Sequence, residues 1–466
     1  MAGQHTVEKI GGTSMSRFGE IMENVILAGR QGDQLYNRIF VVSAYGGITN
    51  LLLENKKTGA PGVYGKFAAG HESWREALDA VRARMLEFNR SFAAIGLDQT
   101  AADQFVHERL DGIRDCLDDV QRIGSYGHFP KRDYLPATRE LLSAVGEAHS
   151  AFNSVQILRS RGVNACLVDL TGWRDSQMHS LDQAILAGFQ DLDLARQMPI
   201  VTGYVKYDEG IMTRFDRGYS EITFSKVAVL TKAREGIIHK EYHLSTGDPI
   251  LIGASRVKVI GATNFDIADQ LSDLDMEAIH SKASKEMELC DIPIRVKNAF
   301  DPAHPGTLIE RNYVSPEPRV EIICGRDDLI AIEVHDPEMV GEVGYDLRLL
   351  EHFRQAGISY IAKSTNANTI THFVPEKHAG VAGCIASIRA AFPNASVATR
   401  PVAVVSVIGT NMRLPGFLSR AANALASEKI NVLSLGQAMR QVNMQFILER
   451  SDFQTAQIAL HREFVE

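Results

Sequence analysis

Short apolar runs and longer amphipathic stretches alternate through the first three hundred residues. Ile39-Phe-Val-Val-Ser-Ala44, Ala165-Cys-Leu-Val-Asp169, Pro199-Ile-Val-Thr202 and Pro293-Ile-Arg-Val-Lys297 read as short buried strands. Between them apolar residues recur at three and four, as in Met15, Phe18, Ile21, Met22, Val25 and Ile26, which predicts an amphipathic helix. Strand and helix in alternation predict a largely parallel sheet. From about Gly70 to Arg122 the pattern is helical and charged with no strand, a helical excursion from that sheet. Ser315-Pro-Glu-Pro318 reads as a linker.

The last 140 residues look duplicated. Gly344-Tyr345 and Ile358-Ser359 recur as Gly416-Phe417 and Ile430-Asn431, and both offsets are 72 (416 − 344 and 430 − 358). Each copy reads strand (Leu329–Val334; Val402–Ile408), loop, helix, strand, strand. One such unit buries its sheet face poorly alone, so pairing between copies or chains is expected.

Composition narrows the class. A chain of 466 residues with 45% hydrophobic and 23% charged residues is ordinary for a globular protein. The net charge of −8 argues against nucleic acid or an anionic membrane as the main partner. Cysteines 116, 166, 290, 324 and 384 are odd in number and lack a C-x-x-C pair, which fits a reducing cytoplasm. No apolar stretch reaches membrane-spanning length.

Four segments carry candidate chemistry. Thr6-Val-Glu-Lys-Ile-Gly-Gly-Thr-Ser14 passes from strand to helix through paired glycines, with Thr13 or Ser14 as a cap. Lys9, the bare backbone of Gly11 and Gly12 and the helix start suit a nucleotide phosphate. An ordinary strand-to-helix turn is the competing reading. In Val41-Val-Ser-Ala-Tyr-Gly-Gly-Ile-Thr-Asn50, a strand ends at Ser43 and glycines 46 and 47 follow, which puts Ser43 and Thr49 where open α/β sheets bind ligands. Glu147, in Leu141-Leu-Ser-Ala-Val-Gly-Glu-Ala-His-Ser150, needs a counter-charge in its small apolar stretch: a substrate ammonium, or a Lys or Arg. In Thr213-Arg-Phe-Asp-Arg-Gly-Tyr-Ser-Glu-Ile-Thr223, Ser220 and Glu221 open a helix and Arg217 offers a planar fork for a carboxylate; a solvated charge cluster is the alternative.

Taken in order, these segments resemble the aspartate kinases of the amino-acid kinase fold. That family's Lys-Phe-Gly-Gly-Thr-Ser is matched by Lys9-Ile-Gly-Gly-Thr-Ser14, its Val-Val-Ser-Ala block by Val41 to Thr49, and its Gly-Glu by Gly146-Glu147. Its Gly-Arg-Gly-Gly-Ser-Asp is matched by Asp216-Arg-Gly-Tyr-Ser-Glu221. Glu277-Ala-Ile-His-Ser281 and the run from Ile292 to Ile309 are also similar, and the tail resembles paired ACT domains. The resemblance implies an α/β/α three-layer sandwich with a mainly parallel sheet over residues 1–312, then two ferredoxin-like ACT domains at 320–395 and 396–466. It implies that Lys9, Gly11, Gly12, Ser14 and Asp248 (in Thr246-Gly-Asp-Pro249) serve ATP. Ser43, Thr49, Glu147, Arg217 and Ser220 would serve L-aspartate, with Lys9 and Glu221 catalytic. Mg2+ would travel with the nucleotide, through residues the sequence does not identify. A cytoplasmic homodimer and an amino-acid effector at the ACT units are further implications.

The departures bear on the site. Glu221 is one methylene longer than the family's Asp. Tyr219 replaces a glycine and would be strained if that position needs positive φ. The family's Thr-Asp-Val-Asp-Gly aligns with His239-Lys-Glu-Tyr-His243, so two aspartates become Lys240 and Tyr242. Similar variants occur among aspartate kinases associated with ectoine synthesis. An aspartate β-carboxylate, of ordinary pKa about 3.9, is ionised at neutral pH and needs no general base, so positioning and charge neutralisation supply the rate. A kinase for another acceptor and a non-catalytic amino-acid sensor are the rival readings.

Overall fold

A computed structural model describes residues 3–274, 276 and 279–466. It falls into two units: residues 1–243 with 279–311, and residues 244–278 with 312–466.

In the first unit, strands β1 (Thr6–Ile10), β2 (Arg38–Val42), β3 (Ala165–Val168), β4 (Met198–Thr202), β5 (Glu235–Lys240), β6 (Ile294–Asn298) and β7 (Thr307–Glu310) are ordered β3-β4-β2-β1-β5-β6-β7. All neighbours run parallel except the β6–β7 pair. All residues of β1, β2 and β4 are buried, which accounts for the apolar runs of β2 and β4, whereas β1 buries Thr6, Glu8 and Lys9 as well. The excursion from the sheet consists of helices α1 (Trp74–Ala93) and α2 (Gln99–Ser125), followed by α3 (Lys131–Ser160), which returns along β3 and β4. Helix α4 (Tyr219–Leu230) packs over β1 on the face that carries Lys9. The opposite face is covered by the segment after β1, where Arg38 donates to the carbonyls of Val25 and Ile26. Helices on both faces of a mainly parallel sheet form the expected sandwich.

The amphipathic stripe after β1 is buried throughout, but the helix is interrupted. A four-residue turn, Gly12–Met15, is followed by Phe18–Ile21 and then a wider π-turn, Met22–Leu27. Arg17 leaves helical geometry at φ −110°, ψ 41°, and breaks the run.

The second unit contains an antiparallel six-stranded sheet of β8 (Ile322–His335), β9 (Ala362–Thr365), β10 (Thr369–Pro375), β11 (Ser396–Ile408), β12 (Val432–Gln437) and β13 (Asn443–Glu449), ordered β9-β10-β8-β11-β13-β12. Helices α5 (Tyr345–Gln355) and α6 (Val381–Ala391) recur as α7 (Phe417–Ser427) and α8 (Phe453–Phe464). Their starts are again 72 apart (417 − 345 and 453 − 381), so the sequence repeat is a structural repeat. Gly344 and Gly416 precede α5 and α7 at φ 83° and 104°, conformations that favour glycine.

The two apolar cores of the tail share their longest strands. Ile332, Val334, Leu349, Phe353 and Ile388 form one core, whereas Val320 and Ile323 belong to the other with Val405, Leu425, Phe446 and Leu460. The cause is strand length. β8 and β11 are fourteen and thirteen residues long, and they pair from Ser396↔His335 to Ile408↔Ile322 with a register shift at Val402/Val404. Each long strand thus lends one half to each repeat.

Candidate active site

The carboxyl ends of β1 and β2 are tied together by their glycine turns. Gly11 is extended and Gly12 begins the short helix, so no side chain caps it; the expected capping by Thr13 or Ser14 is absent because Gly11 takes that place. The first-turn N–H groups are left without a side-chain acceptor from the cap. A Cβ on Gly12 would lie 2.6 Å from the carbonyl oxygen of Ala44, so the two turns are pressed together there. A Cβ on Gly11 would meet nothing closer than 3.9 Å, which leaves its backbone approachable. Ser16 Oγ donates to the Gly12 carbonyl at 3.2 Å and accepts from Gly46 N–H at 2.8 Å.

Lys9, one residue from the end of β1, is buried, and its Nζ lies 3.1 Å from Glu221 Oε1. Glu221 stands in the first turn of α4, and its other oxygen accepts from the His280 amide at 2.6 Å. Burial pushes this carboxyl up, but the charges of Lys9 and Lys240 and the His280 amide outweigh it and bring it down to about 2. Glu221 is ionised at neutral pH. The longer side chain of Glu221 spans the distance from helix start to β1.

Glu147 behaves in the opposite way. Gly146 lets α3 approach the second turn closely, since a Cβ there would come within 2.7 Å of Ala44 Cβ and 3.0 Å of Ile48 Cγ2. Burial raises the Glu147 carboxyl to about 8, against the hydrogen bond from Tyr219, the Lys9 charge and the amides of Tyr204 and Ala44. Its Oε2 is buried with no hydrogen-bond partner among the described residues. A neutral carboxyl with an unused oxygen is a site for a cationic group.

Ser43 Oγ is 3.3 Å from Ser220 Oγ, and the Ser43 amide donates to Ile10 O at 3.2 Å. Lys9, Ser43, Glu147, Ser220 and Glu221 therefore meet at the strand ends. Thr49 lies half-buried on the short helix Ile48–Leu52 beyond the second turn. Arg217 is on the turn Asp216–Gly218, and its side chain lies outside the described residues, as do residues Glu277 and Ala278 of the similar segment before His280. Ser14 is buried, and its hydroxyl donates to Glu241 at 2.8 Å. Asp248 belongs to the second unit, where it is exposed and caps Pro249–Ile252 through the Ile250 amide. Tyr219 has φ −60°, so the substitution for glycine carries no backbone strain.

Three residues at the site escaped sequence reasoning. Gly203 follows β4, and a Cβ there would lie 2.7 Å from Ser220 Cβ and 3.1 Å from Glu147 Oε1. Its position directly after an apolar run was the available signal. Glu140, two turns before Glu147 on α3, accepts from Tyr204 Oη at 2.9 Å, the Met212 amide at 3.2 Å, and the Thr213 amide and hydroxyl at 2.8 and 3.0 Å. It fastens the start of the segment that carries Arg217 and Ser220. Glu241 gave no signal, because its partner Ser14 is 227 residues away.

The amino acid kinase family profile matches residues 4–298, and an ACT domain profile matches residues 405–464. An aspartate kinase of Stutzerimonas stutzeri, Ask_Ect, is 46% identical over 464 residues, covering 99% of this chain and 98% of that protein. The chain belongs to the aspartate kinase family. A Candida albicans aspartokinase is 21% identical across the whole chain and 90% of its own length. The fold matches that of E. coli aspartokinase III in complex with aspartate and ADP, with a TM-score of 0.76 at 20% identity, covering 99% of this chain and all of the other. Within this aspartate kinase, no helix among the described residues is long and apolar enough to cross a membrane.

Proposed function

We propose that this chain transfers the γ-phosphoryl group of ATP to the β-carboxylate of L-aspartate, giving 4-phospho-L-aspartate and ADP. The observation that carries the reading is the Lys9 ammonium, held at 3.1 Å by an ionised Glu221 beside a glycine turn with an approachable backbone. Lys9 and the turn amides of Gly11 and Gly12 neutralise charge on the transferring group, while Ser14 and its partner Glu241 border the turn. The structure thus favours a positioning role for Glu221, which orients Lys9 rather than accepting a proton. An aspartate carboxylate needs no base to become a nucleophile.

Acceptor binding follows from Glu147. The ammonium of aspartate supplies the counter-charge this buried carboxyl lacks, and the carboxyl ionises as the ammonium docks. Ser43, Ser220 and Thr49 give hydroxyl contacts, and Arg217 takes a carboxylate through its fork.

Magnesium fits the donor set in a limited way. Among the described residues no group of three His, Cys, Asp or Glu side chains is arranged to hold a metal. That suits an ion carried mainly by nucleotide phosphates and waters, with Glu241 beside Gly11 and Glu221 on Lys9 as carboxylates within reach of it. When bound, it supplies charge neutralisation on the phosphates.

The division into a kinase domain over 1–312 and ACT domains over 320–395 and 396–466, an amino-acid effector on the ACT repeats, homodimer formation and a cytoplasmic location belong to the same proposal. So does a place in the aspartate-derived amino-acid or ectoine pathway. The test is acyl-phosphate capture by hydroxylamine together with ADP release, using aspartate, glutamate, N-acetylglutamate and carbamate in parallel. Aspartate-dependent hydroxamate is expected. Equal or greater turnover with another acceptor overturns the assignment, and ATP-independent silence with every acceptor leaves a sensor.

A further inference from the structure

The face of the sheet turned away from Lys9 is unusually polar for a parallel sheet. In-register pairing puts Glu8 beside Ile237, Ile237 beside Arg295 and His239 beside Lys297, so these side chains share one face. Glu8 is buried and held by Arg38 at 2.7 and 3.1 Å and by His239 Nε2 at 2.7 Å. Glu235 and Arg295 pair at 2.6 Å. A cleft of about 470 Å³ opens above the Glu8–Arg38–His239 cluster, with Arg30, Lys297 and Asn298 in its wall. That volume falls within the range of small-molecule sites.

Charge in this cleft is not balanced. Glu8 is consumed by Arg38 and His239, and Glu23, also in the wall, pairs with Arg161 at 3.7 Å. Among the described residues neither Arg30 nor Lys297 has a carboxylate within 4.0 Å. Arg30 reaches only the Val25 carbonyl at 3.2 Å, and Lys297 only that of Pro302 at 3.5 Å. Burial holds the Lys297 ammonium below its ordinary pKa, with the charges of Arg295 and Arg30 adding to the effect and those of Glu8 and Glu235 opposing it. Arg30 is lowered by burial and by Arg38, against the charge of Glu8. His239 is buried, and its Nδ1 has no partner among the described residues. Asn298 Oδ1 accepts from the Phe300 amide, which leaves its NH₂ as a donor. A protein of net charge −8 thus places two cations without a directly paired carboxylate, together with further donors, in one cleft.

We propose that this cleft binds a compact multivalent anion, a phosphate or a small dicarboxylate, between Arg30 and Lys297, at a site separate from the glycine turn. Arg38 and His239 form its floor, with Glu8 fixing both. The ligand removes the mutual repulsion of Arg30 and Lys297, a gain that neither a neutral nor a cationic ligand brings.

The experiment is isothermal titration of the full-length protein with inorganic phosphate and with malonate at fixed ionic strength. Wild type, Lys9→Ala and the double variant Arg30→Met/Lys297→Met are compared. At least one anion should bind wild type and Lys9→Ala with similar affinity, and at least tenfold more weakly to the double variant. Tighter malonate than phosphate identifies a dicarboxylate, and the reverse a phosphate ester. The proposal fails if the double variant binds like wild type, if neither anion binds wild type, or if Lys9→Ala alone abolishes binding. Circular dichroism melts of the double variant guard against misfolding, and the single Lys297→Met, at a half-buried position, repeats the comparison if the double variant is unstable.

Discussion

The two units bury different things. In the second, both cores are apolar: Leu349, Phe353 and Ile388 in one repeat, Leu425, Phe446 and Leu460 in the other. In the first, the central strand alternates buried charges, with Glu8 on one face of the sheet and Lys9 on the other. Burying a charge is costly unless it is paired, and each of these is paired across strands or helices distant in sequence. The second unit keeps its buried carboxylates, Glu321 and Asp336, outside both apolar cores. The first accepts an electrostatic cost where chemistry must take place.

That contrast can be broken at its strongest point first. Under the proposed mechanism, in which the ammonium acts on the transferring phosphoryl group, Lys9→Ala should lower kcat on the order of 10³-fold, with a smaller change in KM for aspartate. Steady-state kinetics with unchanged kcat would remove Lys9 from the mechanism. On the apolar side, Leu425→Ala should cost about 3 kcal/mol through a cavity in a fully buried core, with wild-type KM values at 25 °C. Urea unfolding followed by circular dichroism measures it, and a loss below ~1 kcal/mol would mean that the core is loosely packed.

Glu147 provides a test by pH. Its folded value of about 8 lies above the ordinary 4.5, so the folded state holds a proton that the unfolded chain has lost. The associated stability is complete below 4.5 and is lost as pH rises to about 8. Glu147→Gln should flatten this decline and gain on the order of 2 kcal/mol at pH 8 relative to wild type, while weakening aspartate binding. Thermal melts at pH 5, 6.5 and 8 with parallel slopes in both proteins would show that the carboxyl is already ionised. The smallest effect is expected for Arg217→Lys, about a tenfold rise in KM for aspartate, since an ammonium does not reproduce the planar fork. An unaltered KM assigns carboxylate recognition elsewhere.

Local pattern made much of this readable. The strands, the glycine turn and the 72-residue repeat were visible because period, turn chemistry and self-similarity are written in adjacent residues. Lys9 and Glu221 were found as members of separate motifs, and their pairing across 212 positions came only with folding. Glu140 looked like one more charge on a helix, because its four donors come from residues 64 to 73 positions away. The sharing of two cores by single strands escaped sequence reasoning for a related reason. A pattern of small repeats suggests a cut between copies, whereas β8 and β11 each run through two cores. Strand length, unlike periodicity, depends on what the neighbouring strand offers to pair with.

Those two continuous strands have a practical consequence. Neither half of the tail can be excised as a free-standing module by trimming the gene at the midpoint, since each would leave with one of its own staves missing. Protein engineers who wish to graft or swap the second repeat of this chain must carry residues 320–326 along with 402–464, joined by a new connection. A conventional truncation hands over an open edge ready to aggregate.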